Sequence, residues 1–222
     1  MNSNDIDTIT PRAYGALPID LGIFDVEVKE SMHYLYMPVL LAYGRKSAVP
    51  PRLKVFEPIL NAVWQDIYRT HCSDRLMRMY VYITVKHGYV GAGIPGNRPG
   101  YHSDGFLTSD INYIWCDCHP TIFNSTVFNL TPDDQISLQE MEAQAIPSNE
   151  FIYPEKTLLK LDQYVIHKVP QIKEGCMRTF LKVSVSTDKY DLEGNTHNYL
   201  LDYNWEMKPR KTERNIPQSN IK

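Results

Sequence analysis

Residues 51–85 read PRLKVFEPILNAVWQDIYRTHCSDRLMRMYVYITV, and two periodicities meet inside this stretch. Across residues 51–71 the apolar side chains Val55, Phe56, Ile59, Leu60, Val63, Trp64, Ile67 and Tyr68 recur at three and four, the spacing of one helix face. Across residues 78–85 the period drops to two. Met79, Val81, Ile83 and Val85 alternate with Tyr80, Tyr82 and Thr84, and the β-branched and aromatic residues among them favour a pleated surface. The helix carries an apolar face that needs a sheet to lie on, and the sheet is expected to begin at Arg78.

Working outward, residues 111–117, 121–130, 157–168, 176–186 and 198–206 read as further strands. One short helix interrupts them over residues 132–145. Thr131 is its expected N-cap, Pro132 its first position, and Asp133 and Asp134 favour the positive end of the helix dipole. A helix followed by many strands, without strand–helix–strand alternation, argues against a doubly wound sheet. It points to a mainly β fold with flanking helices: a double-stranded β-helix, the jelly roll of cupin-like proteins. The chain is expected to form a single domain over residues 1–222. Within it, residues 1–77 form a helical elaboration, 78–206 the jelly-roll core and 207–222 a C-terminal tail.

The composition of the 222 residues, 43% hydrophobic and 22% charged, excludes a wholly disordered, collagenous or coiled-coil chain. A net charge of −3 offers no global footprint for nucleic acid or an anionic membrane. A nucleic-acid partner is left only the basic cluster Lys208, Arg210, Lys211 and Arg214, which reads as a solvated tail. The longest apolar run, residues 37–43, is about a third of the roughly 20 residues a membrane helix needs, and the N-terminus lacks a signal-peptide core. The expectation is a soluble, cytoplasmic protein with no membrane partner and reduced thiols. Cys116-x-Cys118-His119 invites a zinc reading, but no second CxxC-type pair exists to complete four ligands, so Cys72, Cys116, Cys118 and Cys176 read as ordinary cysteines.

Residues 87–106, HGYVGAGIPGNRPGYHSDGF, form a Gly/Pro-rich loop of the kind that carries function on a rigid scaffold. Residues two apart in an extended chain point the same way, so His102 and Asp104 share a face. His167, near the end of a strand, lies on the face of Leu159, Leu161, Gln163 and Val165 and is expected to point inward. Two histidines and one carboxylate make the facial triad of a non-haem Fe(II) oxygenase, holding one face of the metal and leaving the rest open. Arg178 follows His167 by eleven residues, where a strand–turn–strand return could bring its guanidinium beside the open side. A guanidinium is the group one would choose to grip the far end of a dicarboxylate.

His102-x-Asp104, then His167, then Arg178 resembles the 2-oxoglutarate/Fe(II)-dependent dioxygenase superfamily over roughly residues 78–186. The resemblance implies that His102, Asp104 and His167 hold Fe(II) and that Arg178 pairs with the 5-carboxylate of 2-oxoglutarate. It further implies that O₂ completes the set of co-substrates, and that a C–H bond of a small molecule is hydroxylated while succinate and CO₂ leave. Many relatives carry a small hydroxyl residue two positions after the Arg, where this chain has Phe180; Tyr82 or Thr121 would then supply the hydroxyl. Arg98, Tyr101, Asp110 and Trp115 are the side chains to inspect for substrate contacts. Two other readings stay open: a related dioxygenase acting on a nucleic-acid base or a protein side chain, and a non-catalytic metal-binding jelly roll.

Overall fold

The computed structural model describes residues 12–44, 46–94 and 98–210. In chain order the elements are β1 (Ile19–Ile23), β2 (Met32–Leu40), α1 (Glu57–Thr70), α2 (Ser73–Met77), β3 (Tyr80–Val90), β4 (His102–Ser103) and β5 (Ile111–Cys116). There follow β6 (Ile122–Asn124), α3 (Asp134–Gln144), β7 (Glu150–Ile152), β8 (Thr157–Leu161), β9 (Ile166–Lys168) and β10 (Cys176–Ser186). The strands form two antiparallel sheets, a larger one ordered β1-β8-β5-β10-β3-β2 and a smaller one ordered β4-β9-β6-β7. The chain passes back and forth: β3, β5, β8 and β10 lie in the larger sheet, β4, β6, β7 and β9 in the smaller.

The helix at 51–71 forms as its periodicity predicts, with its first turn wound as a 3-10 turn over Pro51–Phe56. Phe56, Ile59, Leu60, Val63 and Ile67 pack on Val81, Ile83 and Val85 of β3 and on Leu181, Val183 and Val185 of β10. Each such side chain, fully buried, stabilises the fold by about 1.5–3 kcal/mol relative to exposure. The opposite side of the larger sheet is also apolar. Ile114, Leu159 and Leu161 meet Phe123 of the smaller sheet and Val165. The central strands β3, β5, β8 and β10 are therefore buried on both faces over much of their length, whereas β1 at the edge is largely exposed.

Four expectations are corrected. The sheet begins before Arg78, because β1 pairs with β8 and β2 pairs with β3; residues 1–77 are thus not purely helical. Residues 157–168 are two strands, since the Asp162 carboxylate accepts the Tyr164 backbone N–H and turns the chain out of the larger sheet into the smaller. Residues 121–130 shorten to Ile122–Asn124 for the same reason, the Asn124 side chain accepting from the Thr126 N–H. Residues 198–206 form no strand. Asn198 is buried, donates to the carbonyls of Pro38 and Ala48, and accepts from the Leu200 N–H, so local side-chain bonds replace a ladder.

The helix expected at 132–145 is α3, but its N-cap is Asp133, whose carboxylate accepts from the N–H groups of Gln135 and Ile136 at 2.9 Å each. Thr131 bonds instead to Glu140. Among the described residues no helix is long and apolar enough to cross a membrane. Of the basic cluster, Lys208 pairs with Asp191 and Arg210 bonds to Glu193 and Asn195, while Lys211 and Arg214 lie outside the described residues.

Candidate metal centre

The turn at Asp162 decides the site. By moving the chain into the smaller sheet it sets His167 of β9 directly opposite His102 of β4, as paired residues of an antiparallel ladder. Asp104 follows His102 by two residues and turns to the same side. The three ligand atoms, one each from His102, Asp104 and His167, lie within 4.8 Å of one another, which is a grouping able to hold a metal ion.

The histidine tautomers follow from their hydrogen bonds. His102 Nδ1 lies 3.0 Å from the Gly100 carbonyl and His167 Nδ1 lies 3.2 Å from the Val165 carbonyl. A carbonyl only accepts, so both Nδ1 atoms carry the proton and both Nε2 atoms keep a lone pair for a ligand. His167 Nε2 stands 3.8 Å from Asp104 Oδ2. Burial, then the neighbouring His167, pushes His102 down to about 3, and burial lowers His167 as well. Both rings are neutral at physiological pH. Burial opposes ionisation of Asp104, but the Lys182 ammonium outweighs it and holds the carboxyl well below its ordinary range. The donor set is two imidazole nitrogens and one carboxylate, ready for a divalent cation without first losing protons.

A cavity of about 40 Å³ lies at this point, bounded by His102, Asp104, His167, Thr121, Arg178 and Lys182. Three of these come from predicted ligands, and Arg178 and Thr121 from the predicted co-substrate groups. Arg178 is buried on β10, its Nε donating to the Cys118 carbonyl and its Nη2 to the His119 carbonyl, both at 3.0 Å. Phe180 lines the same cavity, with the guanidinium 5.6 Å from its ring centroid. A larger cleft of about 170 Å³ opens beside α1, with Leu40, Trp64, Ile67 and Met79 among its walls, and no acidic, basic or thiol side chain lines it.

Tyr82 is not brought to the centre. Its hydroxyl donates to the Asp188 carbonyl and accepts from the Tyr190 N–H, and its ring stacks on Tyr190 at 4.2 Å. Thr121 is left as the hydroxyl near Arg178. Of the side chains marked for substrate contact, Trp115 faces the helix side and donates to the carbonyls of Phe24 and Lys156, and Tyr101 donates to Glu150. Asp110 accepts from the Tyr190 hydroxyl at 2.6 Å. Arg98 is near enough to His102 to lower its basicity.

Lys182 is the side chain that sequence reasoning missed. It is buried, and its ammonium donates to Asp104 Oδ2 at 2.9 Å and to the Tyr36 hydroxyl at 3.5 Å. Burial works against its charge, yet Asp104 outweighs burial and raises it. The signal was available: Arg178, Phe180 and Lys182 alternate on β10 as His102 and Asp104 do. Lys86, opposite Phe180 on β3, is lowered by burial and then by Arg178 and Lys182, so three cationic side chains converge near the cavity.

No protein-family model matches the sequence. No curated protein matches it. Among solved structures the chain is similar to an oxidoreductase of the 2OG-Fe(II) oxygenase family from Burkholderia pseudomallei. Identity is 12%, the match covers 77% of this chain and 72% of that one, and the TM-score is 0.32.

Proposed function

We propose that this chain is a non-haem Fe(II)- and 2-oxoglutarate-dependent dioxygenase that hydroxylates a C–H bond of a small-molecule substrate. The observation that carries the reading is the pairing of His102 with His167 across β4 and β9, with one ligand atom of each within 4.8 Å of an Asp104 carboxylate oxygen, beside a cavity lined by Arg178. The passage of β3 to β10 between two antiparallel sheets supports a jelly-roll scaffold, formed by residues 78–206 with β1 and β2 added at the edges. The residues present fit Fe(II): two neutral imidazoles and a carboxylate are the donor set of the facial triad.

Bound iron, with 2-oxoglutarate and O₂, would supply the oxidising power, releasing succinate and CO₂; the protein supplies position and surroundings. Arg178 is held by two backbone carbonyls and is the permanent charge for the distal carboxylate. Thr121 is placed to add a hydroxyl bond to it. Lys86 and Lys182 add positive charge that favours a dianion over a neutral co-substrate. The cytoplasm, where 2-oxoglutarate and reduced iron are available, is the compartment this chemistry suits.

Anaerobic titration of Fe(II) and 2-oxoglutarate tests the reading through the visible metal-to-ligand charge-transfer band. Wild type should show the band, His167→Ala should lose it and Arg178→Ala should weaken it. Folded, iron-loaded wild type without a band would overturn the assignment.

A further inference from the structure

Away from the histidine–aspartate triad, the loop after β5 and the first residue of β10 bring a second set of ligating atoms together. Cys118, His119 and Cys176 each offer one ligand atom within 4.8 Å of the others, and all three are half-buried rather than sealed in the core. The two sulfurs stand 3.9 Å apart although 58 residues separate them in the chain. The sequence offered only the first half of this set, Cys116-x-Cys118-His119; the third ligand is supplied by the far strand.

The spacing is that of two thiols in hydrogen-bond contact and equally that of two thiolates on one ion. Zinc–sulfur bonds of about 2.3 Å at a tetrahedral angle put two thiolate sulfurs about 3.8 Å apart, whereas a disulfide needs about 2.05 Å. The observed separation matches the first without displacement of either strand. His119 adopts a left-handed backbone, φ 49, a conformation that β-carbon-bearing residues adopt uncommonly and that here sets its ring beside the sulfurs.

We propose that Cys118, His119 and Cys176 form a second metal site, one that takes a borderline-soft divalent cation of the zinc class with water in the fourth position. The ligand types select for this class over the oxygen-seeking cations, since thiolate and imidazole are soft or intermediate donors. The site also reaches the first one. Arg178 is held by the carbonyls of Cys118 and His119, two of the three proposed ligands, so a bound ion pins the backbone that aims the guanidinium.

Cobalt(II) is the probe that separates the two sites, because only thiolate ligands give an intense near-ultraviolet sulfur-to-cobalt charge-transfer band. Full-length, reduced protein titrated with Co²⁺ should develop that band to one equivalent, and Zn²⁺ should bleach it. Cys118→Ser and Cys176→Ser should each abolish it, and His119→Asn, which tolerates the left-handed backbone, should weaken its metal affinity at least about tenfold. A His102→Ala/His167→Ala variant should keep the band, since the triad contains no sulfur, so failure of the dioxygenase reading leaves this result intact. Thermal unfolding without metal checks that the Ser variants fold, and in the His102→Ala/His167→Ala background Zn²⁺ should raise the midpoint, a rise that a further Cys118→Ser removes. Absence of the band in reduced wild type would overturn the proposal. So would its survival in a Cys118→Ser/Cys176→Ser variant, or an intact mass two hydrogens short together with refusal of cobalt after reduction.

Discussion

His102 and His167 are cross-strand partners on β4 and β9, with ring centroids 4.5 Å apart and each Nδ1 turned back onto the carbonyl of the residue two positions earlier in the chain. The ladder that aligns the two strands is the same one that aligns the two ligands. His167→Ala is expected to weaken Fe(II) binding by at least ~100-fold, more than loss of a supporting hydrogen bond would. Because the ring is neutral, no buried charge is stranded, and the circular dichroism spectrum should be retained. Iron content after gel filtration, compared with wild type, checks this.

Arg178 is fixed by two carbonyls and faces the cavity of the triad. Arg178→Ala should raise the apparent Kd for 2-oxoglutarate by roughly 10–100-fold, equivalent to about 1.4–2.8 kcal/mol for a charge-assisted pair. Arg178→Lys keeps the charge but loses the fork and should fall between the two. Iron affinity measured without co-substrate should be unchanged in both variants.

Buried Lys182 and half-buried Asp104 form an ion pair at 2.9 Å, and the Asp104 oxygen involved is the one nearest His167. Removing Lys182 leaves Asp104 without its cation, so Lys182→Met should lower the unfolding midpoint of the metal-free protein. A divalent cation restores the missing positive charge. Fe(II) should therefore raise the unfolding midpoint of Lys182→Met more than that of wild type, and an Asp104→Asn/Lys182→Met variant should regain stability but not respond to Fe(II). Differential scanning fluorimetry with and without the metal decides the matter.

Asp66, buried on α1, accepts bonds from Lys160 at 2.6 Å, Tyr113 at 2.8 Å and Arg69 at 2.9 Å. Burial opposes its ionisation, yet these three bonds outweigh it and lower the carboxyl below its ordinary value of 3.8. A depressed folded-state value contributes stability that is present above 3.8 and lost as pH falls through the folded value. Asp66→Asn should thus be less stable than wild type at neutral pH, and the gap should close in acid below about pH 4. Urea unfolding at several pH values measures the gap.

Asp133 caps α3 with two backbone bonds while Thr131 bonds to Glu140. Asp133→Ala is expected to destabilise the protein more than Thr131→Ala, because the Asp133 carboxylate satisfies two helix-end N–H groups. The reverse order in chemical denaturation would return the cap to Thr131.

Several strand ends were illegible for one shared reason. Alternation over 121–130, 157–168 and 198–206 marks residues suited to a sheet, but Asn124, Asp162 and Asn198 each accept a backbone N–H two residues on and end or prevent the ladder. The residue types were visible; whether each side chain would turn back on its own backbone depended on what else could bond to that backbone. Lys182 was missed because a lysine in a strand is ordinarily solvated, and only the second sheet buries it. Tyr82 was misplaced because its alternation names a face of β3 but not how far along the strand the cavity lies.

The sequence by itself determined the amphipathic helix at 51–71, most of the two long neighbouring strands β3 and β10, and which side-chain types stand at His102, Asp104, His167 and Arg178. Those features are local: a period of 3.6 or 2 and a spacing of two residues exist before any tertiary contact forms. Only the tertiary structure decided which residues meet. The turn at Asp162 carries His167 across to His102, β10 places Lys182 on Asp104, and the same strand sets Cys176 beside Cys118. Such pairings lie about 58–78 residues apart in sequence, and chain closure over that distance is fixed by burial of two sheets on a shared core, not by any local preference.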